Sequence, residues 1–214
     1  MDFLPGWPVF LAFALAVAVL AITPGPDMTL FLSKTLAQGR KAGLSAMLGA
    51  SAGLIVHTLF AAFGLTALLA ASATAFTTVK IAGAAYLLWL AVSAIRHGSA
   101  LNLQRKGGGP ESLGRIFLAG VGINLLNPKI ILFFVTFLPQ FVSPADPNAM
   151  GKLIFLGLAF VAMALPICTG LILAANQVSS LMRRSPVVTR SIDWVFASVF
   201  AGFAVAILFE RGRG

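Results

Sequence analysis

An all-α polytopic membrane protein with six transmembrane helices is predicted, on three observations. First, 59% of the 214 residues are hydrophobic and only 10% are charged, with mean hydropathy +0.97. A soluble domain carries about 25% charged residues, so there is too little charge here to cover a surface facing water, whereas hydrocarbon accepts an apolar exterior. Second, the apolar residues fall into six runs near the ~20 residues that a helix needs to cross a bilayer. Third, Lys and Arg gather in alternate connections between those runs, as the positive-inside bias requires.

The first run covers residues 3–22 and continues to 32 after the break Thr23-Pro24-Gly25-Pro26-Asp27. Proline removes a backbone donor and clashes with the preceding turn. Two prolines flanking Gly25 therefore predict an unwound segment rather than a gentle kink. The start Met1-Asp2 has no basic region and does not read as a cleavable signal. The second run, 43–71, has His57 as its one ionisable residue, and its Gly49 and Gly53 form a GxxxG that permits close helix contact. That contact serves either packing inside the bundle or the face of a homodimer. The third run, 74–95, contains Tyr86, which could reach a cavity. The fourth, 116–138, is interrupted by Asn127-Pro128-Lys129. The fifth, 153–175, contains Cys168, read as a small apolar filler, and Asn176 is expected to cap its end. The sixth is 192–209. Trp7, Trp89 and Trp194 fall near run ends, where indoles anchor at the membrane interface. Gln140 is expected to act as a cap.

Counting basic residues orients the chain. The connections after runs one, three and five hold ten Lys and Arg, from Lys34 to Arg190; the opposite side holds four. The ten-residue side is predicted to be cytoplasmic, with both termini outside. The Gly107-Gly108-Gly109-Pro110 stretch on that side divides a single transporter domain, 1–214, into halves of about 1–104 and 113–214. Each half has three spans, so a duplicated half inserts upside down. Pro26-Asp27-Met28-Thr29-Leu30-Phe31 aligns with Pro128-Lys129-Ile130-Ile131-Leu132-Phe133, which places Asp27 and Lys129 at equivalent positions with opposite sign. The expected architecture is thus two inverted three-helix repeats, with helices one and four broken at their proline motifs.

The breaks are also the candidate site. Freed amides and carbonyls at membrane depth need partners, and a polar cavity supplies them. A helix N-terminus facing that cavity suits a carboxylate. An ionised side chain in the bilayer interior costs at least about 2.5–3.5 kcal/mol, so Asp27 and Lys129 either pair or serve a pathway. Together they could bracket a zwitterion, with Asp27 on the ammonium and Lys129 on the carboxylate. Asp27 is seven residues from Lys34, which places it nearer the cytoplasmic face than Lys129. His57 titrates near neutrality and could carry a coupling proton, or it could be a packing residue. Asn124 and Asn127, at i and i+3, share one face and either line the cavity or join helices. The substrate-binding or coupling set is Pro24, Gly25, Pro26, Asp27, His57, Asn124, Asn127, Pro128 and Lys129.

The motif Ile22-Thr23-Pro24-Gly25-Pro26-Asp27-Met28, the segment from Gly49 to His57, Asn124 through Lys129, and Phe137-Leu138-Pro139-Gln140-Phe141 together resemble the LysE/RhtB family of bacterial amino-acid exporters, with the closest likeness to its homoserine/threonine branch. The resemblance covers nearly the whole chain. It implies export of amino acids or close derivatives across the cytoplasmic membrane, driven by the proton gradient, with no cofactor. It gives roles to Pro24, Gly25, Pro26 and Asp27 in helix one and to Asn127, Pro128 and Lys129 in helix four.

Composition argues against other classes. Only six acidic residues are present, and Asp27 alone among them is expected within a site, which leaves little for an enzyme. A divalent-cation exporter would want several intramembrane carboxylates, and Lys129 opposes it. One cysteine excludes a disulfide relay. The net charge of +9 comes from short clusters between apolar runs rather than one helical face, so it does not point to nucleic acid. A structural membrane subunit would not need two breaks carrying opposite charges.

Overall fold

Proline and glycine punctuate the chain where the sequence places them. In the computed structural model, α1 (Trp7–Ile22) ends at Thr23, and α2 (Pro26–Gln38) restarts with Pro26 at its first position, where a missing N–H costs nothing. The two helices meet at 50°. The equivalent break lies between α6 (Leu113–Leu125) and α7 (Pro128–Leu132), again with proline at the first position. Here the helix up to Phe141 bends from α6 by 52°. The structure describes residues 6–97, 110–142 and 146–210. The first five residues and the Gly107-Gly108-Gly109 linker lie outside them.

Every described regular element is helical. The remainder are α3 (Arg40–Phe60), α4 (Thr66–Ala71), α5 (Ala73–His97), α8 (Ala149–Leu173), α9 (Ala175–Arg184) and α10 (Pro186–Glu210). Among the described residues, four stretches are long and apolar enough to cross a membrane: Arg40–Leu68, Thr77–Arg96, Ala149–Leu173 and Pro186–Val205. Each bent pair adds one more if it counts as a single span, for six. The chain is a multi-pass membrane protein. The second span is less regular than expected, because a π-helical turn, Ala61–Leu65, joins α3 to α4. A second π turn, Phe133–Phe137, follows α7.

Polarity in the bundle is inverted relative to a soluble protein. Large apolar side chains such as Trp7, Phe60, Leu118 and Leu126 face outward, as lipid contact allows. The centre is a phenylalanine cluster in which Phe13, Phe133, Phe137 and Phe200 are completely or almost completely enclosed. The Phe133 and Phe137 rings lie 4.8 Å apart, and Phe137 meets Phe200 at 5.7 Å. Buried threonines satisfy themselves within their own helices, as when Thr35 donates to the Phe31 carbonyl at 2.7 Å and Thr58 to the Leu54 carbonyl at 2.8 Å.

Glycine decides two junctions. Gly39 stands between α2 and α3 at φ +88°, a left-handed conformation that other residues adopt at a cost, and so turns the chain from one helix into the next. The GxxxG pair lies inside the bundle. A Cβ on Gly49 would fall 2.0 Å from the Phe117 carbonyl oxygen of α6, and a Cβ on Gly120 would fall 2.2 Å from the Ala46 carbonyl oxygen of α3. The two backbones therefore touch directly, as small residues permit in membranes.

Gly49→Ala is expected to destabilise the protein by about 1–3 kcal/mol through overpacking. Gly122→Ala, on the same α6 with open space around it, is expected to be neutral or stabilising by up to about 1 kcal/mol. Thermal unfolding in detergent compares the two, and equal melting temperatures would contradict the close crossing.

Two local expectations are corrected and a third, the cap at Gln140, agrees with the structure. Asn176 does not cap the fifth span, because α8 ends at Leu173 with Ala174 as its cap residue, and Asn176 lies inside the short α9 that follows. Tyr86 packs on Trp89 with ring centroids 5.0 Å apart and does not line the cavity described below. Gln140 donates to the Thr136 carbonyl at 2.8 Å, so it does satisfy a helix-end carbonyl.

Candidate functional site

The two breaks meet. Unwinding at Thr23-Pro24-Gly25 and at Leu126-Asn127 brings the start of α2 and the start of α7 to one cavity, with α3 and α8 forming its other walls. It holds about 630 Å³ of empty space, including the part open to solvent. Thr23, Gly25, Asp27, Asn124, Asn127 and Lys129 line it. Asp27 and Lys129 thus share one chamber, although sequence spacing set them at different depths. Pro24, Pro26 and Pro128 shape the breaks and do not line the cavity.

Asp27 is held by the opposite break. Its Oδ2 accepts from Asn124 Nδ2 at 2.9 Å and from Asn127 Nδ2 at 3.1 Å. Both asparagines are buried, at 1% and 3% exposure, so each side-chain amide has exchanged water for this carboxylate. Asn124 has the room to do so because Gly53 faces it: a Cβ there would fall 2.5 Å from Asn124 Oδ1. Asp27 Oδ1 and Asn124 Oδ1 are enclosed and have no hydrogen-bond donor among the described residues. Two buried acceptors on residues that line the cavity, one of them a carboxylate oxygen, are therefore left without a donor.

Lys129 does not form an ion pair with Asp27 within 4 Å. Its ammonium donates to the Thr23 carbonyl at 2.9 Å, using the acceptor freed where α1 ends, and lies 5.4 Å from the centre of the Phe196 ring. An ammonium has three N–H groups, and the Thr23 bond uses one. The expectation that the helix N-terminus itself receives a carboxylate needs correction at this break. The Asn127 side chain already caps α7, accepting from the Lys129 backbone amide at 3.1 Å.

His57 stands behind the cavity wall rather than in it. Its Nε2 meets the Asn124 carbonyl at 3.3 Å, and its ring stacks on Phe134 at 5.6 Å. It is thus one residue removed from Asp27, linked through Asn124.

Asp27 is not alone among the acidic residues in lying inside the protein. Asp193, in α10, is 1% exposed, one turn before the Phe196 that faces Lys129, and its charge acts on Lys129. Position 193 falls at the edge of the sixth apolar run, where a charge reads as interfacial. The available signal was its i,i+3 spacing from Phe196 on a helix that begins at Pro186, earlier than hydropathy places it.

A second polar junction lies at the far end of α2. Lys34 bonds to Glu111, whose backbone N–H also donates to Gln38 Oε1 at 3.0 Å. The Lys34 hydrogen bond holds the Glu111 carboxyl below its ordinary value of 4.5. A depressed carboxyl contributes stability that is present above the unfolded value and lost as pH falls through the folded one. Acidification below about pH 4.5 is therefore expected to lower the melting temperature of the wild type more than that of Glu111→Gln. Parallel curves for the two would show that the junction contributes nothing.

Comparison with known proteins agrees with the motif resemblance. Residues 18–211 match the family described as LysE type translocator. The chain is 28% identical to the homoserine/homoserine lactone efflux protein of Salmonella typhimurium, over 88% of this chain and 90% of that protein. It is 27% identical to the leucine efflux protein of an Enterobacter species, over 92% and 94%, and 26% identical to the threonine efflux protein of Escherichia coli, over 95% and 98%. No solved structure matches the chain.

Proposed function

The chain belongs to the LysE type translocator family, and from that premise we propose that it exports amino acids or close derivatives across the bacterial cytoplasmic membrane, by proton antiport and alternating access. The observation that carries this is the chamber between the two breaks. Its lining has two residues with a donor-less acceptor, the Asp27 carboxylate through Oδ1 and Asn124 through Oδ1, and a lysine ammonium that bonds the opposite break. An α-ammonium brings three donors and one positive charge to the first group, and an α-carboxylate complements the second. Relatives are named as efflux proteins for homoserine and homoserine lactone, for leucine and for threonine; all four compounds carry the α-ammonium, and the three amino acids carry the α-carboxylate as well.

On this reading each bent pair is one span, giving six. The halves, about 1–104 and 113–214, are inverted repeats of one transporter domain, joined on the cytoplasmic side, with both termini outside. The near-equal bends of 50° and 52°, each followed by proline at the first position of the next helix, support the repeat. So does the pairing of corresponding spans, α3 with α8 and α5 with α10. Substrate enters from the cytoplasm and displaces the Asn-held resting state of Asp27. Proton uptake at Asp27, or at His57 behind it, couples export to proton entry.

The test is efflux from proteoliposomes loaded with a panel of radiolabelled amino acids. Export that accelerates with an imposed proton gradient and collapses with an uncoupler is the expected result. A protein that moves no amino acid under either condition would leave a structural subunit as the better description.

A further inference from the structure

Resting on the reading of this chamber as an amino-acid site, we propose that its substrates are neutral amino acids with an apolar side chain of about leucine or methionine size. Charged and hydroxylated amino acids are disfavoured. The cavity lining contains one charge of each sign, Asp27 and Lys129. The α-ammonium and α-carboxylate of any amino acid use both. A lysine or glutamate side chain would bring a third charge into the chamber with no partner of opposite sign, a costly burial.

Apart from Asp27 and Ser51, the walls supplied by α2, α3 and α8 are apolar, with Phe31, Met47, Leu54, Phe160, Leu165 and Leu171 lining the space. Their one hydroxyl, on Ser51, already gives its hydrogen to the Met47 carbonyl at 3.0 Å. At the break, Thr23 likewise donates to the Val19 carbonyl at 2.5 Å. The hydrogens of the lining hydroxyls are thus committed to backbone, while the donor-less acceptors belong to Asp27 and Asn124, on the side assigned to the ammonium. A substrate hydroxyl reaching toward α3 and α8 would lose water and find no free donor, with the Ser51 oxygen as its one hydroxyl acceptor on those walls. An aliphatic or thioether side chain gains there, and polarisable Met28, Met47 and Cys168 adapt to unbranched and branched shapes alike.

The discriminating experiment is counterflow of radiolabelled leucine in proteoliposomes, with unlabelled competitors on the opposite face. Leucine and methionine are expected to compete at least about 100-fold better than lysine or glutamate, and about tenfold better than threonine, homoserine or serine, since an apolar pocket distinguishes single groups by roughly that factor. N-acetyl-leucine, which keeps the side chain and loses the ammonium, is expected not to compete. Lysine or glutamate within tenfold of leucine, or threonine and homoserine ahead of it, would overturn the side-chain assignment while leaving the amino-acid site intact. N-acetyl-leucine competing as well as leucine, or no counterflow with any amino acid, would overturn the site itself and this inference with it.

Discussion

Asp27→Asn is expected to lower amino-acid efflux at least about 100-fold while leaving the protein inserted and folded. The side chain keeps its shape, and its oxygen can still accept from Asn124 and Asn127, which now bond Oδ2 at 2.9 and 3.1 Å. The new amide nitrogen then stands where the donor-less Oδ1 stood, so a donor confronts the incoming ammonium and the negative charge is gone. Removing one partner of a desolvated charge pair costs about 2–5 kcal/mol, which brackets the predicted loss. Efflux rates normalised to membrane protein level decide it. Wild-type proton-driven export by this variant would remove Asp27 from both recognition and coupling.

Lys129→Ala is expected to abolish export to a similar extent, about 100-fold or more, for a different reason. It deletes the cation beside Phe196 and leaves the Thr23 carbonyl, its acceptor at 2.9 Å, without a donor. Loss of activity alone would not distinguish a broken break from a lost carboxylate contact. The separating measurement is competition by leucine against leucinamide, which lacks the carboxylate. The wild type is expected to prefer leucine strongly, and any residual transport by the variant to treat the two alike. A variant that still prefers leucine would take the carboxylate role from Lys129.

The breaks were legible because proline and glycine act locally. Pro24-Gly25-Pro26 and Pro128 interrupt a helix whatever surrounds them, and both helices restart at the proline. The spans were legible because hydrophobicity needs only a count. Which face a polar residue presents is not local, so the bonds from Asn124 and Asn127 to Asp27, across about one hundred positions of chain, had no sequence signature beyond their i,i+3 spacing. His57 illustrates the same limit. Its titration range marks it as a candidate wherever it stands, but only packing puts it behind Asn124. Asp193 reads as interfacial because it stands second in the apolar run that starts at 192, whereas α10 begins at Pro186 and carries that carboxylate inside.

The contact of Gly49 with Phe117 and of Gly120 with Ala46 has a mechanical consequence. Two backbones in contact through glycine have no side chains between them to serve as bearings, and close-packed interiors do not deform continuously. Helices α3 and α6 therefore behave as a single welded beam, although on the repeat reading they belong to opposite halves. A cycle that exposes the chamber first to one side and then to the other has to keep this beam whole. The compliant parts are the segments hung from it: α1 and α2 turning about Pro24-Gly25-Pro26, and the stretch from α7 to Phe141 turning about Asn127-Pro128. On the export reading, the residues that would hold the cargo, Asp27 and Lys129, each directly follow a proline about which these segments would turn.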